Sequence, residues 1–284
     1  MKLAIVGANG QLGTDLQEVL STDHDVVGLN HSDIEITDVD NIKKVLSSVK
    51  PQLVLNTAAY NLVPKAEQYP ELAFQINSMG ALNLAKVCND LEITLAHYST
   101  DYVFDGKKQK PYTEDDHPNP LNVYANTKLS GEYFVLNYCP NSFVIRVSGI
   151  YGKVPSRSKG GNFITTMIKL AKEKPEVRIV NDEILTPTPT YNIAKNTAEL
   201  IKTNSFGLFH MSCEGEVSWY EFAKVIWETL KLQTPLYPAD VRDLPQEVRR
   251  PLYSVLENRN LQKLGINIMP HWKEALVNFL TKLM

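Results

Sequence analysis

Cysteine is scarce in this chain, and the three present, Cys88, Cys139 and Cys213, stand far apart and odd in number. They match neither the paired spacing of a zinc site nor the framework of a small secreted domain, so buried free thiols in a reducing compartment are expected. Long hydrophobic runs are missing too. No apolar stretch approaches the roughly 20 residues that span a bilayer, and the opening MKLAIVGANGQLG lacks the features of a signal peptide. Charge of one sign is not in excess: a formal net charge of −3 gives no general attraction to nucleic acid or to an anionic membrane. Repeats and low-complexity tracts are absent. The expectation is a soluble cytoplasmic protein with neither a nucleic-acid nor a membrane partner.

What is present is an ordinary globular composition, 43% apolar over 284 residues, long enough for one large domain or two modest ones. In the first half, short apolar runs (KLAIV, HDVVGL, PQLVLN, ITLAHYS, SFVIRVS) alternate with helical periods, one of them a long stretch from Pro64 to Asn89. That rhythm predicts βαβ units and an α/β fold, a Rossmann-type doubly wound parallel sheet buried on both faces. After Ser148 the rhythm breaks into a basic loop, four further helices, the strands VRIVNDE and FGLFHMS, and a Pro-rich charged loop. The predicted division is a dinucleotide-binding unit over 1–148, with segments near 176–206 returning to it. A smaller, discontinuous α/β substrate unit takes 149–175 and 207–284.

GANGQLG, Gly7 to Gly13, follows the first strand and opens the first helix. Glycines there let the backbone turn sharply and approach a pyrophosphate, whose charge meets the N–H groups of the helix start. The second strand ends Leu29, Asn30, His31, Ser32, with no carboxylate to take the ribose 2′-OH of NAD, which leans toward NADPH over NADH. Asp38, before the next helix, either reaches the adenine edge or caps that helix. HYSTDYVFDG brings Thr100 to the carboxyl end of the fourth strand, where ligands bind in open α/β sheets. In LNVYANTKLSGE, Tyr124 precedes Lys128 by four residues, which stacks the two side chains on one helix face. Alone, that pair is an ordinary helical turn.

Together, GANGQLG, NTAAYNLVPKAE, STDYVFDG, LNVYANTKLSGE and RRPLYSVL, in that order, resemble the extended short-chain dehydrogenase/reductases, and among them the dTDP-4-dehydrorhamnose reductase branch. The likeness includes GGNFITTMIKL and LTPTPTYNIA and so covers nearly the whole chain. It implies a catalytic set of Thr100, Tyr124 and Lys128. Tyr124 would give a proton to a carbonyl oxygen as hydride reaches the carbon, and Thr100 would hold that oxygen. Lys128, with the positive charge on oxidised nicotinamide, would lower the phenol's pKa, and it would bind the nicotinamide ribose. The resemblance further implies that Gly7, Gly10, Gln11, Leu12 and Gly13 line the pyrophosphate, and that Ala59, Tyr60 and Tyr98 flank the cofactor. Arg250 would meet a diphosphate, while Lys153, Arg157 and Lys159 read as a solvated face. Trp219 is expected to pack in the core.

The pattern also departs from its relatives. Related dehydratases carry Thr-Asp-Glu, whereas this chain reads Thr100, Asp101, Tyr102, which disfavours loss of water. The common VDKAE is Val63, Pro64, Lys65, Ala66, Glu67, and a frequent tryptophan of a TSW run is Gly149. Ala125 replaces a glycine after the tyrosine. Asp15 matches one magnesium ligand of some members but Tyr191 stands where another belongs, so no metal is expected. The implied activity is reduction of a 4-keto deoxynucleotide-diphosphate sugar, most closely dTDP-4-dehydro-L-rhamnose, by NADPH or NADH. The alternatives are a different deoxysugar nucleotide, or a cofactor-binding regulatory subunit without turnover. A homodimer is possible by family analogy.

Overall fold

The computed structural model describes residues 1–155, 160–243 and 247–283. Five strands of the first half, β1 (Lys2–Val6), β2 (Asp25–Leu29), β3 (Leu53–Asn56), β4 (Thr94–Thr100) and β5 (Ser142–Val147), join the strand Gly207–His210 in one sheet. Its order from one edge is Gly207–His210, β5, β4, β3, β1, β2, and every pairing is parallel. Side chains alternate across each strand. Leu3 and Ile5 therefore enter one core with Leu55, Phe143 and Ile145, while Ala4 and Val6 enter another with Val54, Leu95 and Val144. Helix α1 (Gln11–Leu20) and the helix Thr190–Leu200 cover the first face through Leu12, Leu16 and Ile193. Helix α2 (Val39–Val49) and the helices Gly80–Asp90 and Val123–Tyr138 cover the second through Ile42, Leu84 and Val135. Coverage of both faces explains why these strands read as continuous apolar runs. The doubly wound α/β fold expected from the alternation is the fold observed.

The pairing gives partners that the sequence rhythm does not name. Gly207–His210, expected in the second unit, completes the central sheet beside β5. Val177–Val180, expected to return to the first unit, pairs instead with Leu236–Ala239 in a separate two-stranded sheet. Periodicity reveals a strand but not its partner. The later helices share the first core: Phe222, Trp272 and Leu276 belong to the same apolar cluster as Ile5 and Phe143. The long helical stretch is also divided, into Val63–Gln68, Pro70–Phe74, a π turn at Gln75–Met79 and Gly80–Asp90. Pro70 cannot donate to the preceding turn, which separates the first two pieces.

Because the chain leaves β1 for β2 on one side and returns to β3 on the other, a crevice opens between the carboxyl ends of β1 and β3. No helix among the described residues is long and apolar enough to cross a membrane.

Candidate active site

A cleft of about 1520 Å³ follows those carboxyl ends, from Asn30 and Glu35 past the glycine turn and Thr100 to Trp219 and Arg250. At its glycine end the backbone is built for a close approach. Gly7 has φ +80° and lies so near Thr57 and Ala58 that a Cβ would come within 2.7 Å of the Thr57 hydroxyl. A Cβ on Gly13 would fall 2.4 Å from the Gly7 carbonyl oxygen, so Gly13 serves the packing of turn against helix and does not line the cleft. Gly10, at the N-cap of α1, supplies no side-chain cap, and the first turn holds no acidic residue. The uncapped N–H groups are left to an anion. Gly7, Gly10, Gln11 and Leu12 all line the cleft there. A dinucleotide pyrophosphate fits this arrangement.

Asp38 does not. It caps α2, accepting from the Asn41 N–H at 3.0 Å, and stays off the cleft wall. The acidic group that does reach the cleft beyond β2 is Glu35. Burial works against its charge, but the N–H and hydroxyl of Thr37 hold its carboxyl below the ordinary value, and His31 lies 3.5 Å away. Sequence reading looked for this carboxylate at the strand end, whereas the turn after β2 delivers it a few residues later.

Ala59 lines the cleft, and Tyr60 stands behind it, its N–H donating to Asn77 Oδ1 at 2.8 Å. Asn77 sits in the π turn and also donates to the Tyr60 carbonyl and to Thr127, joining the loop after β3 to the helix Val123–Tyr138. That helix starts at the N-cap Asn122, whose side chain accepts from the Ala125 N–H. Glu67 accepts from the Val123 N–H at 2.7 Å, a carboxylate at a helix start. The VPKAE segment thus supports the start of the helix Val123–Tyr138, and Pro64 falls in the first turn of its own short helix, where proline is tolerated.

Thr100, Tyr124 and Lys128 come together on the cleft wall. Lys128, 2% exposed, donates to the Tyr98 carbonyl at 2.7 Å and lies 3.3 Å from His97 Nε2. Burial pushes its pKa down to about 8, with Glu132 one turn along opposing the shift. His97 is buried and held well below its ordinary pKa by desolvation and by Lys128. The hydroxyl groups of Tyr124 and Thr100 hydrogen-bond, yet burial pushes the phenol up to about 12. The lowering expected from Lys128 is thus absent in the protein alone, because the ammonium is turned to Tyr98 and His97. Tyr98 contributes its carbonyl, while its hydroxyl pairs with Thr197 in the core at 2.9 Å.

Further along, the Tyr102 ring stands edge-on to Tyr124, with centroids 6.3 Å apart. Arg250 lines the cleft nearby, as do Glu183 and Trp219. The Trp219 indole hydrogen-bonds Glu183 and stacks on Phe163, centroids 4.3 Å apart. Trp219 is therefore a wall of the cleft and not only a core residue as expected. SWYEF resembles any helix start, and nothing local in it signals a ligand. Gly149 has φ +52°, and a Cβ there would meet Leu185 at 2.8 Å, so no aromatic residue fits in its place. Lys153 pairs with Glu18 on the surface at 3.1 Å; Arg157 and Lys159 lie outside the described residues. Asp15 is buried and accepts from the Thr190 hydroxyl.

The chain is similar along its length to proteins of known activity. It is 32% identical to the dTDP-4-dehydrorhamnose reductase of Escherichia coli, over 100% of this chain and 98% of that protein. It is 34% identical to a dTDP-4-keto-6-deoxy-D-glucose reductase of Streptomyces niveus, over 96% and 94%. The crystal structure of a dTDP-4-dehydrorhamnose reductase from Bacillus anthracis in complex with NADP superposes with a TM-score of 0.94 at 35% identity, covering 99% of each chain. The family model of the RmlD substrate binding domain matches residues 1–284, and the chain belongs to that family.

Proposed function

We propose that this protein is an NAD(P)H-dependent oxidoreductase that reduces the 4-keto group of a dTDP-linked deoxysugar, with dTDP-4-dehydro-L-rhamnose as the first substrate to test. The observation that carries the reading is the meeting of Thr100, Tyr124 and Lys128 on a cleft whose far end is an uncapped helix start behind a glycine turn. Bound there, a reduced nicotinamide supplies hydride. The residues of the chain do the rest. Tyr124, fully protonated in its buried setting, gives its proton to the ketone oxygen as the carbonyl carbon gains hydride. Lys128 holds positive charge near the phenolate that forms. Arg250 meets the diphosphate, and the Trp219 and Phe163 rings offer flat apolar surface to the nucleoside or sugar. Tyr102 in place of a dehydratase glutamate removes the base that loss of water would use at that position, which favours simple reduction.

A different 4-keto-6-deoxysugar is the second reading, favoured by Gly149, where the backbone leaves no room for an aromatic face. A cytoplasmic setting and a homodimer belong to the proposal, the latter checked by sedimentation. The deciding experiment follows loss of reduced-nicotinamide absorbance with NADPH and NADH in parallel, with dTDP-4-dehydro-L-rhamnose and its 4-keto-6-deoxyglucose counterpart. Tyr124→Phe is run beside wild type and should lose about a hundredfold or more in turnover while still binding cofactor, the scale of a removed general acid. Cofactor binding with no turnover on either sugar would return the protein to a regulatory role.

A further inference from the structure

We propose that Asp101 is a positioning residue that sets the direction of the Thr100 hydroxyl and pins the loop carrying Arg250 to the end of β4. The proposal rests on the reductase reading of the same cleft. Asp101 opens a short turn directly after β4 and is 3% exposed. Its carboxylate accepts from three hydroxyls on three separate segments. Thr100 Oγ1 donates to Oδ1 at 3.1 Å, Ser148 Oγ to Oδ2 at 2.9 Å from the end of β5, and Ser254 Oγ to Oδ2 at 2.6 Å from RRPLYSVL. These partners are neutral, and a buried carboxylate held by neutral donors is an expensive choice for shape alone. Burial raises its pKa to about 6 against those hydrogen bonds.

Two consequences follow from counting protons. A threonine hydroxyl has one, and Thr100 gives it to Asp101. Its lone pairs then face the Tyr102 N–H, at 3.2 Å, and the Tyr124 hydroxyl. Thr100 therefore rests with its proton on Asp101, which fixes the side of the hydroxyl that is left to face the cleft. The second consequence concerns Arg250. Its loop is fixed by Asn122, which donates to the Arg249 carbonyl at 2.9 Å, and five residues after Arg249 by Ser254 on Asp101. Gly106, at φ +77°, lets Leu252 and Tyr253 lie against the strand-end loop, since a Cβ there would come within 2.8 Å of the Leu252 nitrogen. One carboxylate thereby registers the proton donor's neighbour and the diphosphate-binding arginine to each other.

The test uses Ser254→Ala, Ser254→Thr and Asp101→Asn in the full chain, with steady-state kinetics and calorimetric binding of dTDP. Ser254→Ala should weaken dTDP binding and raise the KM for the sugar nucleotide about tenfold, with a smaller change in kcat, the size of one lost hydrogen bond to a charged group. Ser254→Thr, which keeps the hydroxyl, should restore both. Asp101→Asn should in addition lower kcat, because an amide cannot accept from all three hydroxyls. Wild-type dTDP affinity and KM in Ser254→Ala would overturn the clamp, even if Asp101→Asn failed to fold. Absence of wild-type turnover alongside weakened dTDP binding in Ser254→Ala would instead remove the reductase reading and leave the clamp standing.

Discussion

At the scale of the residue, the informative quantity is the protonation of Tyr124 and Lys128 before the site is filled. Both are shifted against their charged forms by burial, the phenol up to about 12 and the ammonium down to about 8. A phenol that stays protonated is the form a proton donor needs, and the weakened ammonium sets the alkaline limit. The kcat/KM profile of the free enzyme should fall as pH rises through about 8, where Lys128 loses its charge. The sign for stability is opposite. Between about 8 and the ordinary lysine value of 10.5 the unfolded chain binds more protons at this position, so Lys128's contribution to stability grows as pH rises through that window. An activity profile flat to about pH 10, near the ordinary phenol and ammonium values, would put the titrating group elsewhere.

At the scale of the element, the helix Val123–Tyr138 brings Tyr124 and Lys128 to the cleft on its first two turns and carries its anchorage on the third. Glu132 is 1% exposed and receives Arg146 of β5 through several N–H groups, the shortest contact 2.7 Å, while Ser99 of β4 donates to the same carboxylate. Phe104 lies under the Arg146 guanidinium, 5.1 Å to the ring centre, and His210 stands beside it. Breaking one side of a buried pair leaves an unpaired charge in the core. Glu132→Gln should therefore cost roughly 3–5 kcal/mol in denaturant unfolding. It should also move the alkaline limb of the rate profile to lower pH, since Glu132 is what supports the Lys128 charge. A variant that unfolds like wild type would show that Arg146 is satisfied by other partners. The π turn at Gln75–Met79 is the other element with a local purpose. Its backbone brings Asn77 between the Tyr60 loop and Thr127, and a Cβ on Gly131 would come within 2.4 Å of the Asn77 carbonyl oxygen.

At the scale of the whole molecule, the cleft is shared between a regular sheet and a less regular cap, and under the proposed function the cap is the part that would distinguish substrates. Arg250, Glu183, Trp219 and Phe163 come from four separate places in the second half of the chain. Arg250→Ala should raise the KM for the sugar nucleotide tenfold or more, about the worth of a charge-assisted hydrogen bond, with kcat much less affected. Equal affinity for dTDP in this variant and wild type, measured by calorimetry, would return the arginine to a surface role. The cap shares one apolar cluster with the first face of the sheet, so damage to Phe222 or Leu276 should be felt in the unfolding of the whole chain.

Much of this was written locally. The strands of the first half, the glycine turn, and the Tyr124–Lys128 spacing are short-range patterns, and short-range geometry alone brings those side chains to one face or one turn. Sequence by itself thus determined the doubly wound sheet, the place of the crevice and the stacking of Tyr124 and Lys128 on one helix face. Only the tertiary structure decided the rest, because each item depends on partners distant in the chain. Asp38 became a cap while Glu35 reached the cleft. Gly207–His210 paired with β5 in the central sheet, and Val177–Val180 paired with Leu236–Ala239. Trp219 turned outward to Glu183, and Asp101 gathered hydroxyls from positions 100, 148 and 254. Burial, which no window of sequence records, raised the phenol that a neighbouring lysine was expected to lower.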